Sequence, residues 1–425
     1  MVALSLIFYA YCGLESIPIL IGSILINWLS AKYYAYTKNG AVISLAIGAN
    51  LIILGLLKYN NFVFANILHI TGVSVNIPQM TLPLGISFFT FHHVMYLVDL
   101  RRGRAPTYSL GRYALYICFF PQAIAGPLAR WHEVMHQFGD KLVRPGWERR
   151  CALGATFVVV GLAEKILLGD GLARELAPIF ARAEQAVVLD GSAWMALAAG
   201  FQVFFDFAGY SDIAIGLALI FGVELPRNFD GPFRATSIQQ LWQRWHMTLS
   251  RFLRDYLFFS LARIKYGRAR FRVAHQLAAV LITMALCGLW HGAGWNFVIW
   301  GILQGLALIF AAVWSKYLGP VPSAVGWVAT IGFFLTSGIL FRAGSVGAAL
   351  NIYQGLTVAP AVQLISTTLV LSSVCATVVP ASHVVCRWLT RRPQSRLAIA
   401  LGLAGALLLT QLGGDQNHEF VYFRF

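Results

Sequence analysis

Runs of apolar residues long enough to cross a bilayer recur along the chain, separated by short polar connections that are mostly basic. A spanning helix needs about 20 predominantly apolar residues. Such stretches run roughly 16–31, 41–57, 84–100, 110–129, 152–169, 192–222, 274–290, 297–314, 328–341, 362–379 and 397–412. The pattern predicts an all-α fold, a polytopic transmembrane helical bundle forming one domain over residues 1–425, with about ten full spans plus re-entrant or interfacial helices. One stretch is interrupted: FFPQAIAGPLARW carries Pro121, Gly126 and Pro127. Broken backbone at membrane depth survives only where protein or a water-filled cavity satisfies it, so this segment is expected to be a re-entrant hairpin lining a cavity.

The basic connections fall at 32–38, 101–112, 141–150, 263–272 and 387–396. Cytoplasmic loops of membrane proteins are enriched in Lys and Arg, which places these five on one side and both termini on the other. Lys and Arg outnumber Asp and Glu by 32 to 17. In this setting the surplus is read as topology and contact with anionic membrane lipid, strongest in RIKYGRARFR (263–272), and not as nucleic-acid binding. With 58% hydrophobic and 12% charged residues, a soluble globular class is excluded. Six cysteines are scattered without a CxxC pair, so neither a disulfide framework nor a zinc cluster is indicated. The first residues, Met1 to Gly13, lack the features of a cleaved secretory signal and are expected to be mature protein.

Ionisable residues within such apolar sequence are costly and mark candidate chemistry. The segment IQQLWQRWHMTLSRFLRDYLFFSL (238–261) predicts one amphipathic helix. Trp242, Trp245, Leu249, Phe252, Leu253 and Tyr256 form its apolar face, while Gln243, Arg244, Arg251, Arg254 and Asp255 lie opposite. His246 falls at the edge of the apolar face, where desolvation favours the neutral imidazole; it fits a functional base and a buried structural histidine equally. In CGLWHGAGWNFVIWG, His291 sits among glycines with Trp290 and Trp295 nearby. That setting suits a neutral general base facing a cavity, against the alternative of a hydrogen-bonded helix-packing turn. In FQVFFDFAGYSDIAIG, Asp206, Tyr210, Ser211 and Asp212 interrupt an apolar run, and Gly209 could break the helix. Structural hydrogen bonding, or pairing with an arginine of the Arg244 face, is the expectation for these carboxylates.

His132, Glu133 and His136 match the HExxH zinc signature, which would make an intramembrane metalloprotease. No third ligand is evident, so no metal site is expected. No nucleophile elbow, P-loop, dinucleotide fingerprint or haem attachment motif is present.

The chain resembles the membrane-bound O-acyltransferase (MBOAT) family, in its bacterial alginate O-acetyltransferase type. The resemblance rests on LPLGISFFTFHHVMYLVDLRRG (82–103), FFPQAIAGPLAR (119–130), FQVFFDFAGYSDIAIGL (201–217), LWQRWHMTLSRFLRDYL (241–257), GLWHGAGWNFVIWG (288–301) and the final FVYFRF. It implies a helical bundle around a central tunnel, in the bacterial cytoplasmic (inner) membrane. Through that tunnel an acyl group passes from a cytoplasmic thioester, acetyl-CoA or an acyl carrier, toward an extracytoplasmic polysaccharide such as alginate, cellulose or another exopolysaccharide. By motif, His291 corresponds to the family's essential histidine and His246 to its second functional histidine. Trp245, Arg251, Arg254, Asp255, Tyr256, Trp290, Asn296, Asp206 and Tyr210 are then expected to hold the donor or line the tunnel. The resemblance further implies no bound cofactor, a separate SGNH-like partner outside the membrane that supplies the serine missing here, and a possible polysaccharide synthase complex. The competing reading from the residues alone is a polyprenyl-glycan or lipid transporter, because intramembrane charges and broken helices also mark transport paths.

Overall fold

A computed structural model describes residues 1–71, 82–139, 146–264, 272–360, 365–391 and 395–411. The described residues form helices and no strand. This is the architecture that lipid demands, since each helix satisfies its own backbone polar groups. Among the described residues seven helical segments are long and apolar enough to span a bilayer: Leu14–Thr37, Gly40–Leu68, Trp147–Ala183, Ser192–Ile220, Arg272–His291, Trp295–Tyr317 and Ser323–Arg342. An eighth span is available if Thr367–Thr377 and Ser382–Leu389, bent by 82°, count together. The polytopic all-α bundle expected from the apolar pattern is therefore what the chain forms. The stretches 84–100 and 110–129 depart from full-length spans: they make helices of 16 and 9 residues, Ile86–Arg101 and Leu110–Cys118. Most of RIKYGRARFR, the whole of FVYFRF and parts of the 141–150 and 387–396 connections lie outside the described residues.

The chain clusters into two compact units, one of residues 1–150 with 217–226 and one of 151–216 with 227–425. The first contains α1 (Val2–Cys12), α2 (Ile17–Thr37), α3 (Gly40–Thr71), α4 (Ile86–Arg101) and α5 (Leu110–Cys118). Within it the broken segment after α5 is buried in protein, as its prolines required. Its polar groups find side-chain partners: the Phe120 amide donates to Ser5 Oγ (3.2 Å), Gln122 Nε2 donates to the Tyr116 carbonyl (2.7 Å), and the Tyr116 hydroxyl donates to the Ala129 carbonyl (3.2 Å).

In the second unit α6 (Trp147–Ala163) continues through a π-helical turn, Glu164–Gly169, into α7 (Asp170–Ala183), and α8 (Ala199–Ile220) follows. The span containing α8 is 78% buried, against 22–44% for the others, so it is the central helix. Then come α9 (Ile238–Arg244), α10 (Met247–Phe252), α11 (Arg272–His291), α12 (Trp295–Tyr317), α13 (Ser323–Arg342), α14 (Val346–Gly355), α15 (Thr367–Thr377), α16 (Ser382–Leu389) and α17 (Ser395–Gln411). Helices α11 and α12 form a tight hairpin through facing glycines. A Cβ added to Gly288 would lie 2.1 Å from the Phe297 carbonyl oxygen, and one on Gly301 would lie 2.2 Å from that of Met284. Small residues that admit backbone to backbone are the usual means of helix association where lipid removes the hydrophobic drive.

Candidate active site

The segment expected to be one amphipathic helix from 238 to 261 is two helices with a break at Trp245–His246. Helix α9 ends at Arg244, Trp245 is extended (φ −104°, ψ 129°), and His246 is left-handed (φ 40°, ψ 53°) as the residue capping α10. A non-glycine residue in this region is uncommon, and such strain persists only where the surroundings over-determine it. Here Asn228 does so. Its carbonyl accepts from the Met247 amide (2.8 Å), its Oδ1 accepts from Thr248 Oγ1 (2.6 Å), and its Nδ2 donates to Ser211 Oγ on α8 (3.0 Å). The Asp230 amide also donates to the carbonyl of Arg244 (3.0 Å). Hydrophobic periodicity carries no trace of these tertiary bonds, which is why the break was not visible in the pattern. The placement of His246 at the edge of one helix's apolar face falls with the single helix.

The break turns His246 into the aromatic interior, 1% exposed. Its ring packs edge-on against Phe207 of α8, with centroids 4.6 Å apart, and faces Trp290 at 6.3 Å. Burial pushes its pKa down to about 3, leaving the imidazole neutral at physiological pH. His291 ends α11 and is 3% exposed. Its ring lies 4.8 Å from Trp290, 5.0 Å from Phe341 and 5.5 Å from Trp300. Trp290 therefore stands against both histidines, and the residues singled out in two separate motifs share one aromatic centre with Trp245, which packs 4.8 Å from Phe334 and 5.9 Å from Phe204.

Two cavities adjoin this centre. One of about 470 Å³ is lined by Trp242, Gln243, Met247, Ser250, Arg251 and Arg254 on one side and by Val280, Thr283 and Met284 of α11 on the other. Its size is that of a small-molecule or cofactor site, and its two guanidiniums suit an anionic guest. The other, about 20 Å³, lies against His291 and is walled by Trp245, Trp300, Phe334 and Phe341. Trp242 of the first and Trp300 of the second meet with centroids 6.0 Å apart.

The remaining expected residues are placed as follows. Arg254 pairs with Asp255 (2.7 Å) in a π-helical turn, Leu253–Phe258. Such turns are frequent at functional sites. Tyr256 stacks on Phe252 at 5.5 Å. Asn296 donates to the carbonyls of Leu340 (3.3 Å) and Ala343 (2.8 Å), tying the end of α13, and with it Phe341, to the start of α12. Asp206 pairs with Lys165 (2.7 Å), which also holds Asp170 (2.5 Å). The partner found for Asp206 is thus a lysine of the π-turn before α7. Gly209 does not break α8; its open face meets the backbone of Gly161. Tyr210 is half-buried on the same helix. Trp242, Trp300, Phe334, Phe341 and Asn228 were not among the expected site residues. Density of aromatics was the only signal for the first four.

The HExxH stretch is built as a helix cap. Glu133 accepts from the Arg130 amide (2.7 Å), His136 Nδ1 lies 3.0 Å from the His132 carbonyl, and the helix Trp131–Val134 passes into a 3₁₀ turn at Met135. The two imidazoles therefore do not share an α-helical face. Among the described residues no group of three or more His, Cys, Asp or Glu side chains could hold a metal ion.

These features define a polytopic membrane protein whose centre is a pair of buried histidines joined by a tryptophan, beside an apolar cavity edged by arginines. The model of the MBOAT, membrane-bound O-acyltransferase family matches residues 84–346, and the chain belongs to that family. It is 35% identical over 390 residues to the peptidoglycan O-acetyltransferase of Helicobacter pylori, covering 84% of this chain and 73% of that one. It is 33% identical over 364 residues to the probable alginate O-acetylase AlgI of Pseudomonas aeruginosa, covering 83% of this chain and 68% of the other. It is also 27% identical over 270 residues to the teichoic acid D-alanyltransferase of Streptococcus thermophilus, covering 60% and 65%. The chain is a multi-pass membrane O-acyltransferase, which displaces the transporter and metalloprotease readings.

Proposed function

We propose that this protein is the membrane subunit of a bacterial polysaccharide O-acetyltransferase. It resides in the cytoplasmic membrane, takes an acetyl group from a cytoplasmic thioester, acetyl-CoA or an acyl carrier, and delivers it for O-acetylation of an extracytoplasmic glycan. The 470 Å³ cavity receives the donor, with Arg251 and Arg254 drawing its anionic part. His291 accepts the proton of the attacking hydroxyl. The new C–O bond forms as the C–S bond breaks, and the departing thiolate takes the proton from His291. His246, whose ring also lies against Trp290, orients or polarises the thioester. The attacking hydroxyl belongs to a separate SGNH-like partner or to the glycan itself; among the described residues no serine lines the small chamber at His291.

The observation that supports this reading is the placement of His291, buried among Trp290, Trp300 and Phe341 yet bordering an empty space. The test is thiol release from an acetyl thioester by the purified chain in lipid nanodiscs, with and without a hydroxyl acceptor. Acceptor-dependent thiol release that disappears in His291→Ala is expected. A normally inserted His291→Ala protein with full activity removes the mechanism.

A further inference from the structure

The two cavities differ more than twentyfold in size, and the smaller one touches the histidine. A space of about 20 Å³ holds roughly one water molecule, which is also about the bulk of a methyl group. Its walls are stiff. Trp245 packs on Phe334 with centroids 4.8 Å apart, and Trp300 packs on Phe341 at 5.0 Å. Its floor is backbone, where α8 and α13 meet through Gly200 and Gly338. A Cβ on Gly338 would lie 3.4 Å from the Gly200 amide nitrogen and 3.5 Å from its Cα. Densely packed interiors of this kind do not swell to take an extra methylene. Apart from His291, the indoles and the glycine backbone, the lining is hydrocarbon.

We propose that this chamber is the acyl-group selector of the enzyme. It seats the methyl of an acetyl thioester against His291 and rejects both longer acyl chains and aminoacyl groups. A propionyl group needs room for one more carbon, which the packed aromatic walls do not give. An alanyl group brings an ammonium that would lose its hydration against hydrocarbon with no counter-charge to receive it. One methylene in a rigid apolar pocket discriminates by about 10- to 200-fold. The inference rests on the acyltransferase reading above and specifies the donor of the same site.

The test uses the full chain in nanodiscs with acetyl, propionyl and alanyl thioesters of one carrier thiol, and reads kcat/KM from thiol release. In the wild type, propionyl is expected to be at least tenfold slower than acetyl, and alanyl slower still. Phe334→Leu, which removes part of one wall, raises the propionyl-to-acetyl ratio at least tenfold, with thermal unfolding in detergent as the separate check on folding. Ala199→Val, which fills the chamber from its floor, lowers acetyl kcat at least tenfold with little change in KM. Equal wild-type rates for acetyl and propionyl, or variants that change both in parallel, overturn the selector and leave the acyltransferase reading standing. Turnover of none of the thioesters removes both together.

Discussion

Trp242 and Trp300 meet with their ring centroids 6.0 Å apart and their planes inclined by 62°, and each walls a different cavity. The donor-sized cavity and the small chamber at His291 are thus divided by two indoles in edge contact, a geometry worth about 0.5–1.5 kcal/mol beyond its buried area.

Trp242→Ala removes half of that partition. The expected result is faster hydrolysis of the acetyl thioester in the absence of any acceptor, because water then reaches the chamber, together with a lower yield of acetylated acceptor per thiol released. Both are read by comparing thiol release with acceptor labelling. An unchanged ratio shows that the indoles do not govern water access.

Replacing His291 by Ala should lower acceptor-dependent turnover by about 10²- to 10⁴-fold, the usual contribution of a positioned acid or base. The amount of protein in the membrane should stay near normal, since the side chain borders a void and its loss leaves the Gly288–Gly301 hairpin contact intact. Quantitative immunoblotting beside the kinetic assay separates the two effects.

His246 gives a pH prediction. Burial lowers its pKa to about 3, so in the folded protein it stays neutral through pH 5–8, whereas an exposed histidine would gain a proton below about 6.5. As pH falls through that window the unfolded chain binds the proton and the folded chain does not, so His246 contributes a loss of stability on acidification and none above it. The pH–rate profiles of wild type and His246→Gln should therefore share one shape and differ in height. Loss of an acid limb near pH 6.5 in the variant would show that His246 titrates during turnover.

Asn228 holds the backbone break that turns His246 inward, so Asn228→Ala should cost about 1–3 kcal/mol for its lost buried hydrogen bonds. It should also reduce kcat more than KM. Serine at Thr248 keeps the hydroxyl that bonds Asn228 Oδ1 and should be nearly silent. Thermal unfolding in detergent and steady-state kinetics on the two variants check this pair.

Gly288→Ala sets a methyl against the Phe297 carbonyl oxygen, within 2.1 Å before relaxation. Overpacking of this kind costs about 1–3 kcal/mol, and here the obstacle is backbone, which yields least. Lower expression, a reduced melting temperature and weakened activity are expected. Gly292→Ala meets the Phe297 ring, a side chain and not backbone, and should be milder.

The sequence by itself determined the membrane class and the all-helical architecture, and it singled out two histidines that the fold brings against one tryptophan. Those follow from local rules: about 20 apolar residues make a span, glycine permits close approach, and an ionisable group in apolar sequence must be there for a reason. It also located the broken segment at Pro121–Pro127, because proline removes backbone donors wherever it sits. Tertiary structure alone decided that the 238–261 helix breaks at His246, since bonds from Asn228 outweigh a periodicity that favours one continuous helix. It likewise assigned Asp206 to Lys165, turned the HExxH stretch into a cap, and brought Trp242, Trp300, Phe334 and Phe341 together around two cavities. An empty space has no residue of its own; it exists only where side chains far apart in the chain fail to fill the volume between them, and no local pattern encodes that.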